Sequence, residues 1–143
     1  MNIKQIRGKD YILCGWRRKY VRLTPEEWVR QQVLHQLVMD YHYPTSSIAV
    51  EVQLATKRRA DAVVYKQDLT PVMLIEFKAE TVELSQKTLD QIAVYNRQYH
   101  VPYLLLSNGR QMVMAKVEEE IVFLEHIPDW TQLMNGMMDI NNE

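Results

Sequence analysis

The sequence predicts an α/β fold built around a mixed β-sheet. Two segments have the pattern of helices, at about Thr24 to Met39 and at Ser85 to Tyr99. Three strand-like apolar runs lie between them, and an almost wholly apolar run follows the second helix. Helices that alternate with strands in this way are typical of one α/β domain. The chain of 143 residues is therefore predicted to form a single domain, residues 1–143.

The first helix has clear start signals. Thr24 is a good N-cap, Pro25 suits the first helical position, and Glu27 stands three residues after Thr24, as a capping box requires. The apolar residues that follow form a broken stripe that would pack on a sheet: Trp28, Val29, Val33 and Leu37. The pattern predicts that this helix covers one face of the sheet.

Three strands are predicted after this helix. Residues 48–55 alternate apolar and polar side chains, which indicates a strand with one polar face. Residues 60–65 and 71–78 are two further apolar runs, separated by a polar loop of hairpin length. Together they predict a three-stranded segment before the second helix.

The second half of the chain predicts a helix followed by a hairpin. Leu89, Ile92 and Ala93, with Asn96, define the inner stripe of the second helix. Residues 101–107 are expected to form a strand buried on both faces, and Asn108-Gly109 is a strong hairpin turn into residues 111–117. A further strand at 121–124 and a short closing helix after Asp129 complete the C-terminal part, residues 118–143.

Composition excludes several classes of protein. The formal net charge of −1 argues against a strong non-specific nucleic-acid binder, which would carry a basic excess. No run has the length of a transmembrane helix, and the N-terminus lacks the apolar core of a signal peptide. Cys14 is alone, so it cannot form an internal disulfide. The sequence thus predicts a cytoplasmic protein with no membrane partner.

Two predicted strands carry charged residues inside apolar runs. Asp61 lies in one, and Glu76-Phe77-Lys78 ends the other. Strand side chains alternate, so Glu76 and Lys78 must project from the same side. Charges bracketed by Val, Leu and Ile are costly to bury without compensation. A divalent metal bound by Asp61 and Glu76, with Lys78 beside it, would compensate them and form a phosphodiester-cleaving site.

This arrangement is the motif of the PD-(D/E)xK nuclease superfamily, which the chain resembles. The similarity is closest to the N-terminal nuclease domain of type I restriction enzyme R subunits and runs from about residue 19 to residue 117. It implies a restriction-endonuclease-like α-β-β-β-α-β core with helices on both faces of the sheet. The segments that carry it are Lys19–Gln31, Arg58–Asp61, Glu76–Ala79, the pair Gln91 and Tyr95, and Asn108-Gly109.

The resemblance implies a Mg²⁺-dependent DNA endonuclease domain of a restriction-modification type. R subunits continue into an ATP-driven translocase, whereas this chain has no phosphate-binding glycine loop of the G-x-x-x-x-G-K-[ST] kind. We therefore expect a stand-alone relative of the nuclease module, with DNA as partner and no nucleotide cofactor. Whether the chain also binds a protein partner or forms a homodimer is left open by the sequence.

Asp61 and Glu76 are the predicted metal ligands, and the Phe77 backbone carbonyl is a plausible third. Mg²⁺, with Mn²⁺ as an alternative, prefers oxygen ligands and keeps several waters, so two carboxylates suffice. Lys78 would orient or deprotonate the attacking water, or stabilise charge at the phosphate. The resemblance also points to Glu27 as an acid that completes the metal site, although the capping box alone accounts for a Glu there.

Five further residues are expected at the active site or beside the DNA. Lys57, Arg58 and Arg59 directly precede Asp61, so they can contact phosphates. Gln91 and Tyr95 lie four apart and share a helical face, and the resemblance implies that Gln91 bonds a metal water or a phosphate and that Tyr95 touches the DNA. A partly buried core Tyr95 beside a solvated Gln91 is the structural alternative.

Two other interpretations of the chain remain at this point. One is a non-catalytic module on the same fold that binds nucleic acid or a protein, which the small size and neutral charge favour. The other is a surface salt bridge between Lys78 and Asp61 or Glu76 without any metal. The basic run Arg17-Arg18-Lys19, with Arg22, is either a solvated turn or a second phosphate-binding patch.

Overall fold

The computed structural model describes residues 1–53 and 59–142, with the backbone alone at 95, 98 and 137–142. The predicted alternation of helices and strands is confirmed in these residues. The helices are α1 (Pro25–Met39), α2 (Gln86–Tyr99) and α3 (Trp130–Asn142). The strands are β1 (Ile3–Ile6), β2 (Lys9–Cys14), β3 (Lys19–Arg22), β4 (Ile48–Gln53), β5 (Arg59–Tyr65), β6 (Pro71–Phe77), β7 (Tyr103–Ser107), β8 (Met112–Val117) and β9 (Ile121–Phe123).

The larger sheet contains strands β4 to β9 in sequence order. Neighbouring strands are antiparallel except β6 and β7, which are parallel and joined through α2. The sheet is therefore mixed, as predicted. Because β5 is antiparallel to β6 and β7 is parallel to it, the start of β5 and the ends of β6 and β7 meet at one end of the sheet.

Helices cover both faces of this sheet, which confirms the predicted arrangement. One core joins α1 and α3 to the first face; its buried members include Val29, Val33, Leu37, Val64, Ile75, Leu105 and Leu133. A second core joins α2 to the opposite face through Leu89, Ile92, Val63, Leu74, Leu104 and Leu106. Burial of a side chain of this size stabilises the fold by about 1.5–3 kcal/mol. Both cores therefore hold the end of β6 rigidly between two helical layers.

The predicted N-cap of α1 is confirmed, and α2 also begins with a hydroxyl cap. The Thr24 hydroxyl accepts a hydrogen bond from the Glu27 N–H at 3.1 Å, and Ser85 Oγ accepts one from the Thr88 N–H at 3.4 Å. Asn96, on the inner stripe of α2, is buried and bonds both backbone groups of Val101. That pair of bonds ties the end of α2 to the segment that leads into β7.

The N-terminal three-stranded sheet was not predicted. Strands β1, β2 and β3 form an antiparallel sheet of their own in that order. Every residue of β1 is exposed, so the strand lacks the apolar alternation that identifies a half-buried strand. A local signal was present in Arg7-Gly8, where both residues have positive φ angles of 51° and 77°. Two consecutive residues of this kind are typical of a two-residue hairpin turn.

The turn after β7 is longer than the two residues predicted. Ser107 pairs with Met112, so residues 108–111 form the connection. Asn108 Oδ1 accepts hydrogen bonds from the N–H groups of Arg110 and Gln111, each at 2.9 Å, and Gly109 has a φ of 86°. The hairpin itself is confirmed.

Of the predicted strand 48–55, residues 54 and 55 lie outside the described residues. No helix in the part of the chain that the structure describes is long and apolar enough to cross a membrane.

Candidate active site

The Asp61 side chain lies against the end of β6. Its Oδ2 accepts a hydrogen bond from the Phe77 N–H at 2.8 Å, across 16 residues of sequence. The bond fixes the carboxylate beside the Glu76-Phe77 peptide, although Asp61 itself belongs to β5. An ionised carboxylate has about four lone-pair sites, so this bond leaves capacity for other ligands.

Glu76 and Lys78 occupy the same end of the sheet. Glu76 is buried, with 6% of its surface exposed, and Lys78 is half-buried. The Lys78 N–H donates to the Ser107 carbonyl at 2.9 Å, which extends the β6–β7 pairing by one residue. By strand alternation Glu76 shares the face of Leu74, which packs with α2. The backbone around both side chains is therefore held by regular sheet bonds and not by a loop.

The backbone is irregular where β4 passes Asp61. The pairs Val50↔Ala62 and Val52↔Ala60 are in the ladder, and Glu51 and Asp61 stand between them. Glu51 has a φ of 54°, a left-handed conformation that costs a residue with a side chain roughly 1–3 kcal/mol. A strained backbone conformation of this kind persists only where the surrounding structure enforces it. Here the strained residue, Glu51, lies opposite Asp61, the proposed metal ligand.

Arg30 of α1 compensates this irregularity. Its Nη1 donates to the Asp61 carbonyl at 2.9 Å, and its Nη2 donates to Glu51 Oε1 at 2.6 Å and to Glu27 Oε1 at 3.1 Å. Arg30 is 8% exposed, so these are desolvated, charge-assisted bonds. One guanidinium thus links α1, β4 and β5 next to Asp61.

Sequence reasoning missed Arg30 as a residue of this site. It lies within the segment that carries the family resemblance, but its partners are 21 and 31 residues away. The available signal was an arginine on the apolar stripe of an amphipathic helix. Such a residue is buried only when acids pair with it.

Glu27 belongs to the same charged network. Its carboxylate accepts hydrogen bonds from Arg17 Nη2 at 2.5 Å and from Gln31 Nε2 at 2.9 Å, in addition to Arg30. Burial raises the pKa of Glu27, but the bonds from Arg17 and Gln31 and the charges of both arginines outweigh burial, so the pKa lies below its ordinary value. The Glu27 carboxylate is therefore bonded to Arg17, Arg30 and Gln31, and not to the Thr24 N–H as a capping box would require.

Replacing Glu27 with glutamine should lower the free energy of unfolding by roughly 2 kcal/mol at neutral pH, because two charge-assisted bonds lose their anion. Since the folded-state pKa is depressed, the stabilisation is fully present above the unfolded value near 4.5 and is lost as the pH falls below it. Urea unfolding of both proteins over a pH series should therefore converge in acid. Glu26→Gln, at the exposed neighbour, is the control, and a difference that persists in acid would contradict the assignment.

Cys14 joins the network from β2. Its sulfur accepts hydrogen bonds from the Arg17 N–H at 3.4 Å and from Arg17 Nε at 3.3 Å. Burial raises the pKa of the Cys14 thiol, but hydrogen bonds from Arg17 and Gln31 and the Arg17 charge outweigh burial and lower it. Arg17 thereby connects the N-terminal sheet to α1 through two partners.

The donors around Asp61 fit Mg²⁺. Asp61 and Glu76 provide hard carboxylate oxygens on neighbouring strands, and the Phe77 amide fixes one of them. Mg²⁺ is commonly bound through one or two carboxylates with its remaining positions filled by water. Within the described residues, no three His, Cys, Asp or Glu side chains form a group that could hold a metal. The role of Glu27 as a further metal ligand stays a prediction, and in the structure its carboxylate is bonded to Arg17, Arg30 and Gln31.

The remaining predicted site residues stay predictions. Gln91 is exposed on α2, and the side chain of Tyr95 lies outside the described residues. Lys57 and Arg58 also lie outside the described residues, whereas Arg59 is exposed at the start of β5, two residues before Asp61. Arg59 is the member of that basic run whose position next to the candidate site is described.

Comparison with known proteins identifies the family. The fold, with a central mixed sheet between helices, is that of the restriction-endonuclease-like α/β proteins. Residues 25–128, more than half of the chain, match the family described as type I restriction enzyme R protein N terminus (HSDR_N). The chain belongs to this family, which confirms the resemblance seen in the sequence. No curated protein sequence matches it.

A solved structure has the same fold. A fragment of a protein described as the HsdR subunit of a type I restriction enzyme from Vibrio vulnificus YJ016 matches with a TM-score of 0.66 and 17% sequence identity. The match covers 84% of this chain and 26% of that one, so the chain spans about a quarter of its length. The type IIG restriction endonuclease BpuSI has a TM-score of 0.49 and 16% identity, with 82% of this chain and 16% of that one covered.

Proposed function

We propose that this chain is a metal-dependent nuclease domain that hydrolyses DNA phosphodiester bonds through Asp61, Glu76 and Lys78. The observation that carries the proposal is the hydrogen bond from the Phe77 N–H to Asp61, because it brings an acid of β5 to the Glu-x-Lys end of β6. Membership of the R protein N-terminal family supports the same reaction.

Asp61 and Glu76 would hold the metal ion, and the Phe77 carbonyl is the proposed third ligand. A bound Mg²⁺ supplies charge neutralisation at the reacting phosphate and lowers the pKa of bound water. Lys78 follows Glu76 by two positions, so its ammonium is suited to orient the attacking water or to stabilise the charge that develops on the phosphate. The water oxygen forms the new bond to phosphorus, the bond to the leaving oxygen breaks, and that oxygen takes up a proton.

The helix α1 supports the site electrostatically. Arg30 holds the Asp61 main chain at 2.9 Å, so the carboxylate needs little reorganisation when a metal binds. A ligand side chain that is already fixed binds a metal more tightly than a flexible one, because the entropy of ordering it is lost during folding and not on binding. Gln91, Tyr95 and the run Lys57–Arg59 remain the proposed contacts to the phosphates and the metal waters.

Asp61→Asn should abolish Mg²⁺- or Mn²⁺-dependent nicking of supercoiled plasmid. Asparagine keeps an acceptor for the Phe77 N–H but removes the charge that binds metal, so the fold should be retained and be equally or more stable. The comparison is with Asp90→Asn on α2, where an exposed acid is neutralised. Nicking in the wild type should also stop in EDTA.

The outcome separates an enzyme from a binding module. Equal nicking by Asp61→Asn and by the control would assign the activity to a contaminant. Metal-independent DNA binding without nicking in any preparation would leave the non-catalytic module as the function of the chain.

A further inference from the structure

The N-terminal sheet concentrates positive charge in a chain that is otherwise acidic. Residues 1–22 contain seven lysines and arginines and one acid, Asp10, whereas the whole chain has a net charge of −1. Arg17 is engaged with Glu27 and Cys14. The six other cations of this segment are exposed: Lys4, Arg7, Lys9, Arg18, Lys19 and Arg22.

Strand register assigns three of these cations, Lys4, Lys9 and Arg22, to one side of the sheet, whereas Lys19 pairs with the buried Cys14 on the other side. Residues paired in an antiparallel ladder share a face, and Lys4 pairs with Tyr11, which pairs in turn with Arg22. Ile12, the neighbour of Tyr11, is fully buried, so the opposite face packs inward. Asp10 also neighbours Tyr11 and by alternation belongs to that inward set.

The side directed away from the core is termed the outer face. Alternation along β2 adds Lys9 to it, and the pairing of Leu13 with Tyr20 adds Tyr20. Its polar members are Lys4, Lys9, Tyr11, Tyr20 and Arg22, with three cations, two phenols and no acid.

Two of the three cations of the outer face lie over its aromatic rings. Lys4 Nζ lies 3.9 Å from the centre of the Tyr20 ring, and Arg22 Cζ lies 5.7 Å from that of Tyr11. Among the described residues, no ion pair with an acid engages Lys4, Lys9 or Arg22. Cations clustered without acids repel one another, and a polyanion relieves that repulsion.

A groove lies between the segment that follows β3 and the segment that follows the Glu76–Lys78 end of β6. It has a volume of about 410 Å³ and is lined on one side by residues 23–25 with Trp28, and on the other by residues 79–81. Arg22 precedes the first of these segments, and Lys78 precedes the second. Arg22 and Lys78 are thus the chain neighbours of the two groove walls, which makes the groove a candidate path for a DNA strand between them.

We propose that the outer face binds the phosphate backbone of DNA and guides it across the groove toward Glu76 and Lys78. Duplex DNA carries one negative charge per about 1.7 Å of its axis, so a surface with several cations can contact several phosphates. The family match begins at residue 25, and this sheet precedes it. The inference rests on the proposed function for the choice of DNA as ligand and for Glu76 and Lys78 as its destination.

The test compares two triple variants that remove the same charge. Lys4→Gln/Lys9→Gln/Arg22→Gln neutralises the outer face. Its control is Lys66→Gln/Arg97→Gln/Lys116→Gln, at the end of the sheet opposite Asp61. Binding of a labelled mixed-sequence duplex is followed by fluorescence anisotropy over a salt series in EDTA, and circular dichroism melts verify the fold of each variant.

The outer-face variant should flatten the dependence of log affinity on log salt by up to about 2.7, since each phosphate contact contributes about 0.9. The control should keep the wild-type slope. Equal slopes in the two variants, no binding by the wild type, or binding to anionic lipid vesicles without binding to DNA would each overturn the proposal. Because binding is measured without divalent metal, a failed nicking test at Asp61 would overturn the nuclease function and leave this result standing.

Discussion

Replacing Lys78 with methionine is expected to lower the rate of DNA cleavage by at least about 100-fold. Positioned acid–base groups commonly contribute 10²- to 10⁴-fold to a rate, and electrostatic stabilisation of a transition state contributes similar factors. Methionine has a similar length and fits the half-buried position of Lys78, so the loss should come from the charge and not from a cavity. Initial rates of nicking with Mg²⁺ in excess measure the effect.

Two comparisons keep this result interpretable. Lys87→Met replaces an exposed lysine on α2 and should cleave at the wild-type rate. Lys78→Met should retain the rise in melting temperature that Mn²⁺ causes in the wild type, because the carboxylates remain; Asp61→Asn should lose it. Full activity of Lys78→Met would remove Lys78 from the mechanism and leave a site formed by acids alone.

Replacing Arg30 with methionine is expected to lower the free energy of unfolding by about 3 kcal/mol. Removing one partner of a buried ion pair costs about 3–5 kcal/mol because it leaves an uncompensated charge. The lower end applies here, since Glu27 keeps its bond from Arg17 and the Glu51 side chain is partly exposed. Urea unfolding monitored by tryptophan fluorescence measures the change.

The loss of stability should be specific to the bonds that Arg30 makes to Glu27, Glu51 and the Asp61 carbonyl. Arg97→Met, at an exposed position in the last turn of α2, should change stability by less than about 0.5 kcal/mol. Arg30→Lys keeps the charge, but an ammonium does not reproduce the planar fork that serves Glu27, Glu51 and the Asp61 carbonyl together, so it should recover only part of the loss. A full recovery by lysine would show that charge alone matters.

Arg30→Met should also slow cleavage, because the Asp61 carbonyl loses a fixed donor and the left-handed backbone at Glu51 loses its support. The size of that effect relative to the stability loss distinguishes a positioning residue from a purely structural one. If the folded variant cleaves at the wild-type rate, Arg30 serves stability only.

Much of the fold could be predicted because its signals are local. Thr24 caps α1 where the sequence indicated, since an N-cap hydroxyl bonds to an amide three residues away. The apolar run of β7 reports burial on both faces directly. The alternation in β4 identified the strand but not its burial, since Ile48 is the one buried residue of that strand. The candidate pair Asp61 and Glu76 was also visible, since charged residues inside apolar strands are costly without a function.

The parts that escaped prediction depend on contacts distant in sequence. The bonds from Arg30 to Glu51 and Asp61 span 21 and 31 residues, and the bond from Phe77 to Asp61 spans 16. The N-terminal sheet has little apolar alternation, so only strand pairing defines it and gathers Lys4, Lys9 and Arg22 on one face. By itself the sequence determined the order of the elements from α1 onward and the identity of the candidate acids, because capping and alternation act over a few residues. Tertiary structure decided which charges meet, because desolvated ion pairs form only where separate strands and helices pack together.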